Sequence, residues 1–270
     1  DGRVFGAMSN SNMFGVALIV SLMVVVRIIY ELKYKILLPL GIAVYAFIFY
    51  MLIETGSRKG MFCGVLFPGF LFMYLGLSNP NFGGAIKSMI VILAISFLFG
   101  TAFFVSQSSH FKRIQRVVNA VESGNKNQAG ASEIGRLHLY EVGINATLNN
   151  PVFGVGIDNF RKIKDNGHKI GTYSHSNYIE MMTTTGFIGL FIYYSFYFCL
   201  LKQIKSNYRY YKINNEKLTM VVFSSGILYL QLIYDFAMVS YYEKIVWMIM
   251  AGVISEQYIV FNKMKKNEKK

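Results

Sequence analysis

The sequence predicts an all-α integral membrane protein, a polytopic helical bundle, and three observations predict it. Hydrophobic residues make up 54% of the chain and charged residues only 15%, a balance far from that of a soluble domain. The apolar residues fall in runs of about 20, the length a helix needs to cross a bilayer. The charges collect between those runs. Together they predict about seven spanning helices, with the longest gap between runs forming one large extracytoplasmic loop that contains short helices.

The runs lie at about 13–29, 36–53, 61–77, 86–105, 180–201, 218–240 and 245–262. They divide the chain into residues 1–105 (an N-terminal outer segment and four spans), 106–179 (the loop domain) and 180–270 (three spans and a basic tail). The chain opens at Asp1 on DGRVFGAMSNSNMFG, which reads as a connection between spans and not as a signal peptide. Earlier helices of a larger protein are therefore expected to precede it. Cys63 and Cys199 fall inside apolar runs far apart in sequence, which predicts reduced packing residues and not a disulfide.

The net charge of +13 would suggest nucleic acid in a soluble protein, but its location points to the membrane instead. Arg27 stands at the end of the first run and Lys33 and Lys35 follow it, Lys202 to Lys217 follow the fifth, and Lys263 to Lys270 the last. With alternating spans these segments share one side, the cytoplasm by the positive-inside rule. The N-terminus, the short turn after the second run and the long loop are then extracytoplasmic.

The residues with chemistry lie on that outer side. In the turn ETGSRKG, Arg58 and Lys59 stand against the charge bias that orients the protein. A guanidinium presents a planar fork of donors to phosphate oxygens, and a tight turn at a helix start adds backbone N–H groups. Lys59 has the more flexible stem and can instead reach lipid headgroups. Gly60 and Gly64 form a small-xxx-small pair, expected to serve helix packing.

In the loop, Phe111 to Val121 has the pattern of an interfacial amphipathic helix, and Ser123 to Ala131 that of a linker. Ser132 then opens a helix that Asn149, Asn150 and Pro151 close. Ile134, Leu137, Ile144 and Leu148 form an apolar stripe expected to pack, with Arg136, Tyr140 and Gly143 on the opposite face. Pro151 to Phe160 has a turn composition; its Gly154-Val155-Gly156 is no phosphate loop, because no strand and helix flank it. There is no HExxH or Cys/His cluster for a metal and no GxSxG elbow.

His175, in TYSHSNYIEMMTTTGFIGLFIYY, stands where a polar segment runs without a break into about twenty apolar residues. An imidazole at that boundary can act as a base on a substrate there. Glu180 is placed to orient it, to bind substrate hydroxyls, or to hydrogen-bond the loop. Asp235 lies toward the outer end of the sixth run, where it is expected to pair with an arginine or a tyrosine hydroxyl.

In their order and shared sidedness, GRVFGAMSNSN, TGSRKG, GRLHLYEVGINATLNNPVFGVGIDNF and SHSNYIEMMTTTGFIGL resemble the O-antigen ligase and polysaccharide polymerase family of bacterial membrane glycosyltransferases. The resemblance covers most of the chain. It implies a GT-C-like bundle in the bacterial cytoplasmic membrane that takes a glycan from undecaprenyl diphosphate, passes it to a glycan or lipid-linked acceptor, and needs no metal or other cofactor. By position, Arg58 and Arg136 match diphosphate-contacting arginines and His175 the general base. Arg3, Lys59, Tyr140, Asn177 and Glu180 are the accompanying substrate-binding candidates. Lys59, Tyr140 and Ser176 depart from the residues frequent in the family at these places. The expected activity is inverting transfer, by a ligase or a surface-polysaccharide polymerase. The competing expectation is a lipid-linked oligosaccharide flippase or other transporter, whose site would lie nearer the membrane midplane.

Overall fold

The computed structural model of the protein describes residues 11–32, 35–77, 131–213 and 219–268. Arg3, the expected span at 86–105, the Phe111 to Val121 stretch and the linker after it lie outside the described residues. Seven α-helices occur among those described: α1 (Ser11–Glu31), α2 (Leu38–Glu54), α3 (Arg58–Leu77), α4 (Ala131–Asn149), α5 (Asn177–Ile213), α6 (Thr219–Tyr234) and α7 (Lys244–Glu268). Ser11–Glu31, Asn177–Lys212 and Lys244–Lys266 are long and apolar enough to cross a membrane, and Leu38–Glu54, Lys59–Leu71 and Thr219–Tyr234 are shorter apolar helices. The protein is a mostly helical membrane protein. Its chain forms two compact units.

The first unit contains the described residues up to Leu77, Leu201–Leu230 and the residues from Met248 onward. Within it α1 packs against α2 and α3 through Ile19, Leu22, Met23, Phe49, Leu52 and Leu71, all buried. A proline sits in the first turn of α2, where its missing N–H costs no helical bond. Gly64 lets α3 approach closely: a Cβ there would lie 2.3 Å from Leu52 Cδ2, which agrees with the packing role expected of this glycine. A polar seam crosses the apolar core. Arg27 pairs with Glu256, which also accepts from Ser224 Oγ at 2.8 Å, and the guanidinium lies 5.1 Å from the Phe223 ring centroid. Asn207 Nδ2 donates to Gln257 Oε1 at 2.7 Å. Such pairings satisfy polar groups that lipid cannot.

The second unit contains the described residues from α4 to Leu200, with Gln231–Trp247. After α4 come an irregular segment, a 3-10 turn (Phe160–Lys162) and a two-residue hairpin of β1 (Lys164–Asp165) with antiparallel β2 (His168–Lys169). His138 Nε2 meets Asp165 Oδ2 at 3.0 Å, tying α4 to the hairpin.

Here the structure corrects three expectations. The run after His175 is not one unbroken span. α5 breaks at Gly186, whose φ of 67° and ψ of −171° are non-helical, so a short helix from Asn177 precedes the longer apolar one. The segment from Pro151 to Gly156 straps this break: Val155 N donates to Thr183 O at 2.9 Å, Gly156 N to Thr184 O at 2.8 Å, and Phe187 N to Pro151 O at 2.8 Å. Carbonyls freed at the end of the short helix thereby gain donors.

The second correction concerns α4. Of the stripe expected to pack, Leu137, Ile144 and Leu148 are exposed, at 68%, 43% and 69%; the side chain of Ile134 lies outside the described residues. The face that packs carries Leu139, Val142, Gly143 and Thr147. Gly143 decides this, because a Cβ on it would lie 2.5 Å from Ile179 Cγ2, and Thr183 Oγ1 donates to its carbonyl at 3.0 Å. The close approach at Gly143 thus outweighs the apolar spacing in choosing the packed face.

Third, the sixth helix ends at Tyr234, short of the expected residue 240. Asp235 to Glu243 leave the helix and turn back beneath the loop that carries His175.

Candidate functional site

The site is assembled in the second unit around Tyr173 to Asn177. His175 has φ of 61°, a left-handed conformation uncommon for a residue with a Cβ and one that persists only where its surroundings enforce it. The flanking residues supply the enforcement. Ser174 N donates to Glu180 Oε2 at 2.8 Å, Ser174 Oγ donates to Ser176 O at 2.7 Å, and Ser176 Oγ and Asn177 N both donate to Asp235 O, at 3.3 and 2.7 Å. Ser174, Ser176, Asn177 and Glu180 are all buried, whereas His175 between them is partly exposed. Hydrogen bonds thus hold the backbone on both sides of the histidine.

Asn177 and Asp235 form the base of this arrangement. Asn177 Oδ1 accepts from Ser240 N at 3.0 Å and Tyr241 N at 3.1 Å, while its Nδ2 donates to Tyr194 Oη at 3.1 Å and Asp235 Oδ2 at 3.3 Å. Asp235 accepts further bonds from Tyr194 Oη at 2.9 Å, Gln231 Nε2 at 2.7 Å and Ser240 Oγ at 2.5 Å. This buried carboxylate thus pairs with a tyrosine hydroxyl, one of the two partners expected of it, and is surrounded by donors as a buried charge requires.

Arg136 projects from the N-terminal half of α4 and is exposed. It lies close enough to two tyrosines for its charge to act on both. Burial pushes the Tyr140 phenol up and Arg136 opposes this; burial and then Glu243 push the Tyr173 phenol up, with Arg136 again opposing. The Tyr173 ring is 4.5 Å from the His175 ring, centroid to centroid. Arg136 thus acts electrostatically on the tyrosine whose ring stands against that of His175. Tyr140, half-buried, donates its hydroxyl to Phe236 O at 3.3 Å, fixing α4 to the turn after α6.

Arg58 belongs to the first unit, at the first position of α3, and its side chain lies outside the described residues. The turn before it is well built: Gly56 takes φ of 63°, Thr55 Oγ1 accepts from Ser57 N at 3.2 Å, and Ser57 Oγ accepts from Gly60 N at 3.1 Å, a helix N-cap. Lys59, the next residue, is partly buried.

Of the expected substrate contacts, Asn177 and Glu180 are buried, and their side chains are engaged within the protein as described. Glu180 takes the third of its expected roles, the bond to the loop backbone. Among the described residues no three His, Cys, Asp or Glu side chains gather as a metal site would need. The sequence pattern did not single out Tyr173, Ser174 or the turn at Ser240 and Tyr241. A usable signal was present in the paired serines around the histidine, since short hydroxyl side chains beside a special backbone conformation usually hold it.

A family profile described as O-Antigen ligase matches residues 43–194, a stretch that includes Arg58, Arg136 and His175. No match is found among curated proteins.

Proposed function

Since the chain belongs to the O-antigen ligase family, we propose that it is a membrane glycosyltransferase that moves glycan from an undecaprenyl-diphosphate-linked donor to the hydroxyl of an acceptor sugar. The observation that carries this reading is His175, partly exposed on a hydrogen-bonded left-handed loop, with the Tyr173 ring against its own and the charge of Arg136 acting on that tyrosine. A base with a positive charge in its neighbourhood suits a reaction that removes a proton at one point and expels a phosphate at another.

His175 takes the proton of the acceptor hydroxyl as its oxygen bonds to the anomeric carbon. The bond from that carbon to the phosphate oxygen breaks, and its electron pair leaves with undecaprenyl diphosphate. One displacement inverts the anomeric centre. Arg136 stabilises charge developing on the leaving diphosphate, and Arg58, matched by the family pattern, has the same chemistry. Neither arginine needs a divalent cation to do so. Glu180, Asn177 and Asp235 are positioning residues, acting through the loop that bears the histidine. The reaction takes place on the extracytoplasmic face of the bacterial cytoplasmic membrane, where the sequence places the loop.

The test uses the full chain in proteoliposomes with a lipid-linked repeat unit as donor. His175→Ala and Arg136→Ala are each expected to lower kcat by about a hundredfold or more while inserting like the native protein. Full transfer by either variant would remove that residue from the mechanism, and a product with retained anomeric configuration would refute single displacement. Product still attached to undecaprenyl diphosphate and lengthened by a repeat marks a polymerase; glycan on a separate final acceptor marks a ligase.

A further inference from the structure

On the side of α4 turned away from Arg136 the second unit has an open cleft of about 680 Å³, within the range of small-ligand sites. Asn145 and Asn149 of α4 form one wall, and the chain from Asn159 to Asp165 the other. Its apolar floor is made by Val142, Ala146, Val155 and Ile163 among mostly polar lining residues. The walls are firmly placed. Asn159 Nδ2 donates to Val155 O at 2.9 Å, Lys162 Nζ to Asn159 Oδ1 at 2.8 Å, and the His138–Asp165 contact holds the hairpin to the helix.

Asn145 and Asn149 differ from these. They are exposed, stand one helical turn apart on the same face, roughly 5–6 Å between Cβ atoms, and their carboxamides have no intramolecular partner among the described residues. A carboxamide presents an acceptor and a donor side by side, which matches the neighbouring hydroxyls of a sugar ring. The apolar floor suits the C–H face of such a ring, and Lys164 on the far wall adds a donor. The lining has the mixed, hydroxyl-reading chemistry of a saccharide site and too little apolar surface for a lipid tail.

We propose that this cleft is a saccharide-chain subsite, holding sugars of the glycan remote from the reacting end. The proposal rests on the glycosyltransferase reading above and deepens it. Asn145 is nine residues along α4 from Arg136 and Asn149 thirteen, roughly 14 and 20 Å at the helical rise and about half a turn round the axis. A sugar in the cleft is therefore not the one attacked. It belongs to a chain several sugars long, so the cleft favours long glycans over short ones.

The experiment compares the native full chain in nanodiscs with Asn145→Ala/Asn149→Ala, and with Asn149→Trp, which fills the cleft. The probes are oligosaccharides of one and of several repeats, released from the source bacterium's surface polysaccharide, with binding read by saturation-transfer NMR and transfer by KM and kcat. Native protein is expected to bind the longer probe, and both variants to bind it about tenfold or more weakly. The KM for the longer acceptor should rise by the same factor, with kcat within twofold and the one-repeat acceptor unaffected. Equal binding of the longer probe by native and both variants, or no binding by the native protein, overturns the subsite. The binding arm needs no turnover, so binding lost in the variants of a protein that forms no glycosidic bond supports the cleft while refuting the transferase.

Discussion

Gly186→Ala is expected to detach the strap at the start of the long apolar helix. Two costs follow from the structure. The backbone at φ 67° and ψ −171° lies in a region open essentially to glycine alone, worth about 1–3 kcal/mol to a residue with a Cβ. An added Cβ would also stand 2.3 Å from Val152 O and 2.7 Å from Phe153 N, and backbone atoms cannot rotate away as a side-chain tip can. Relief requires the strap to move, which breaks the bonds Val155 N to Thr183 O, Gly156 N to Thr184 O and Phe187 N to Pro151 O. At about 1 kcal/mol net each, the total comes to roughly 4–6 kcal/mol, an upper figure because the terms overlap.

Amide hydrogen exchange of Gly154, Val155, Gly156 and Phe187, measured in detergent, reads this local opening directly. Protection should fall by at least about a hundredfold, since each 1.4 kcal/mol is a factor of ten. The control is Gly252→Ala in α7, where an added Cβ meets nothing within 4 Å and replacement in a helix interior is neutral or stabilising by up to about 1 kcal/mol. If Gly186→Ala kept protection within threefold of native, the strained-glycine account of the break would be wrong.

Asn177→Ala removes the acceptor of two backbone donors and a partner of Asp235, so it should destabilise the second unit by about 3 kcal/mol or more. Its transfer activity should fall mainly through kcat; unchanged melting and unchanged kcat would show that the histidine loop does not depend on it. For Arg27→Met and Glu256→Gln, the first change leaves Glu256 without its ionic partner, the second leaves Arg27 only the more exposed Glu31 at 3.5 Å, and the double change removes both charges of the inner pair. A double-mutant cycle on denaturation in detergent should give a coupling of about 1–3 kcal/mol, and simple additivity would show the pair to be energetically idle. Tyr140→Phe loses only the 3.3 Å bond to Phe236 O and should cost about 1 kcal/mol or less; a loss of activity beyond tenfold would mean that the hydroxyl touches substrate.

Much of the membrane architecture was legible because it depends on local composition. Run length and the polar breaks between runs place α1, α2 and α3 within a few residues of the expected bounds, since an apolar helix in lipid needs only length and internal hydrogen bonds. The turn at Gly56 and Ser57 was legible for the same reason, as its glycine and its capping serine act within three or four residues. His175 also stood out locally, as a titratable group in a polar segment at the edge of an apolar run.

What periodicity cannot see is the partner of a surface. The stripe Leu137, Ile144 and Leu148 has the right spacing to pack, yet the face that packs is chosen by Gly143 admitting Ile179 at close range, a contact between residues far apart in sequence. Gly186 looks like an ordinary glycine in an apolar run; its positive φ is imposed by a strap more than thirty residues earlier. The carboxylate of Asp235 and the carboxamide of Asn177 carry no sign in the sequence that they meet.

The sequence by itself determined that this chain is a helical membrane protein and pointed to His175, Arg58 and Arg136 as candidates at the edges of its apolar runs, because hydrophobicity and charge are properties of single residues and their near neighbours. Only the tertiary structure decided that the helix after His175 breaks, that the Tyr173 ring stands against the histidine, and that four buried side chains hold the histidine in a left-handed turn. Those outcomes depend on hydrogen bonds and close approaches between distant segments, which exist only once the chain has folded.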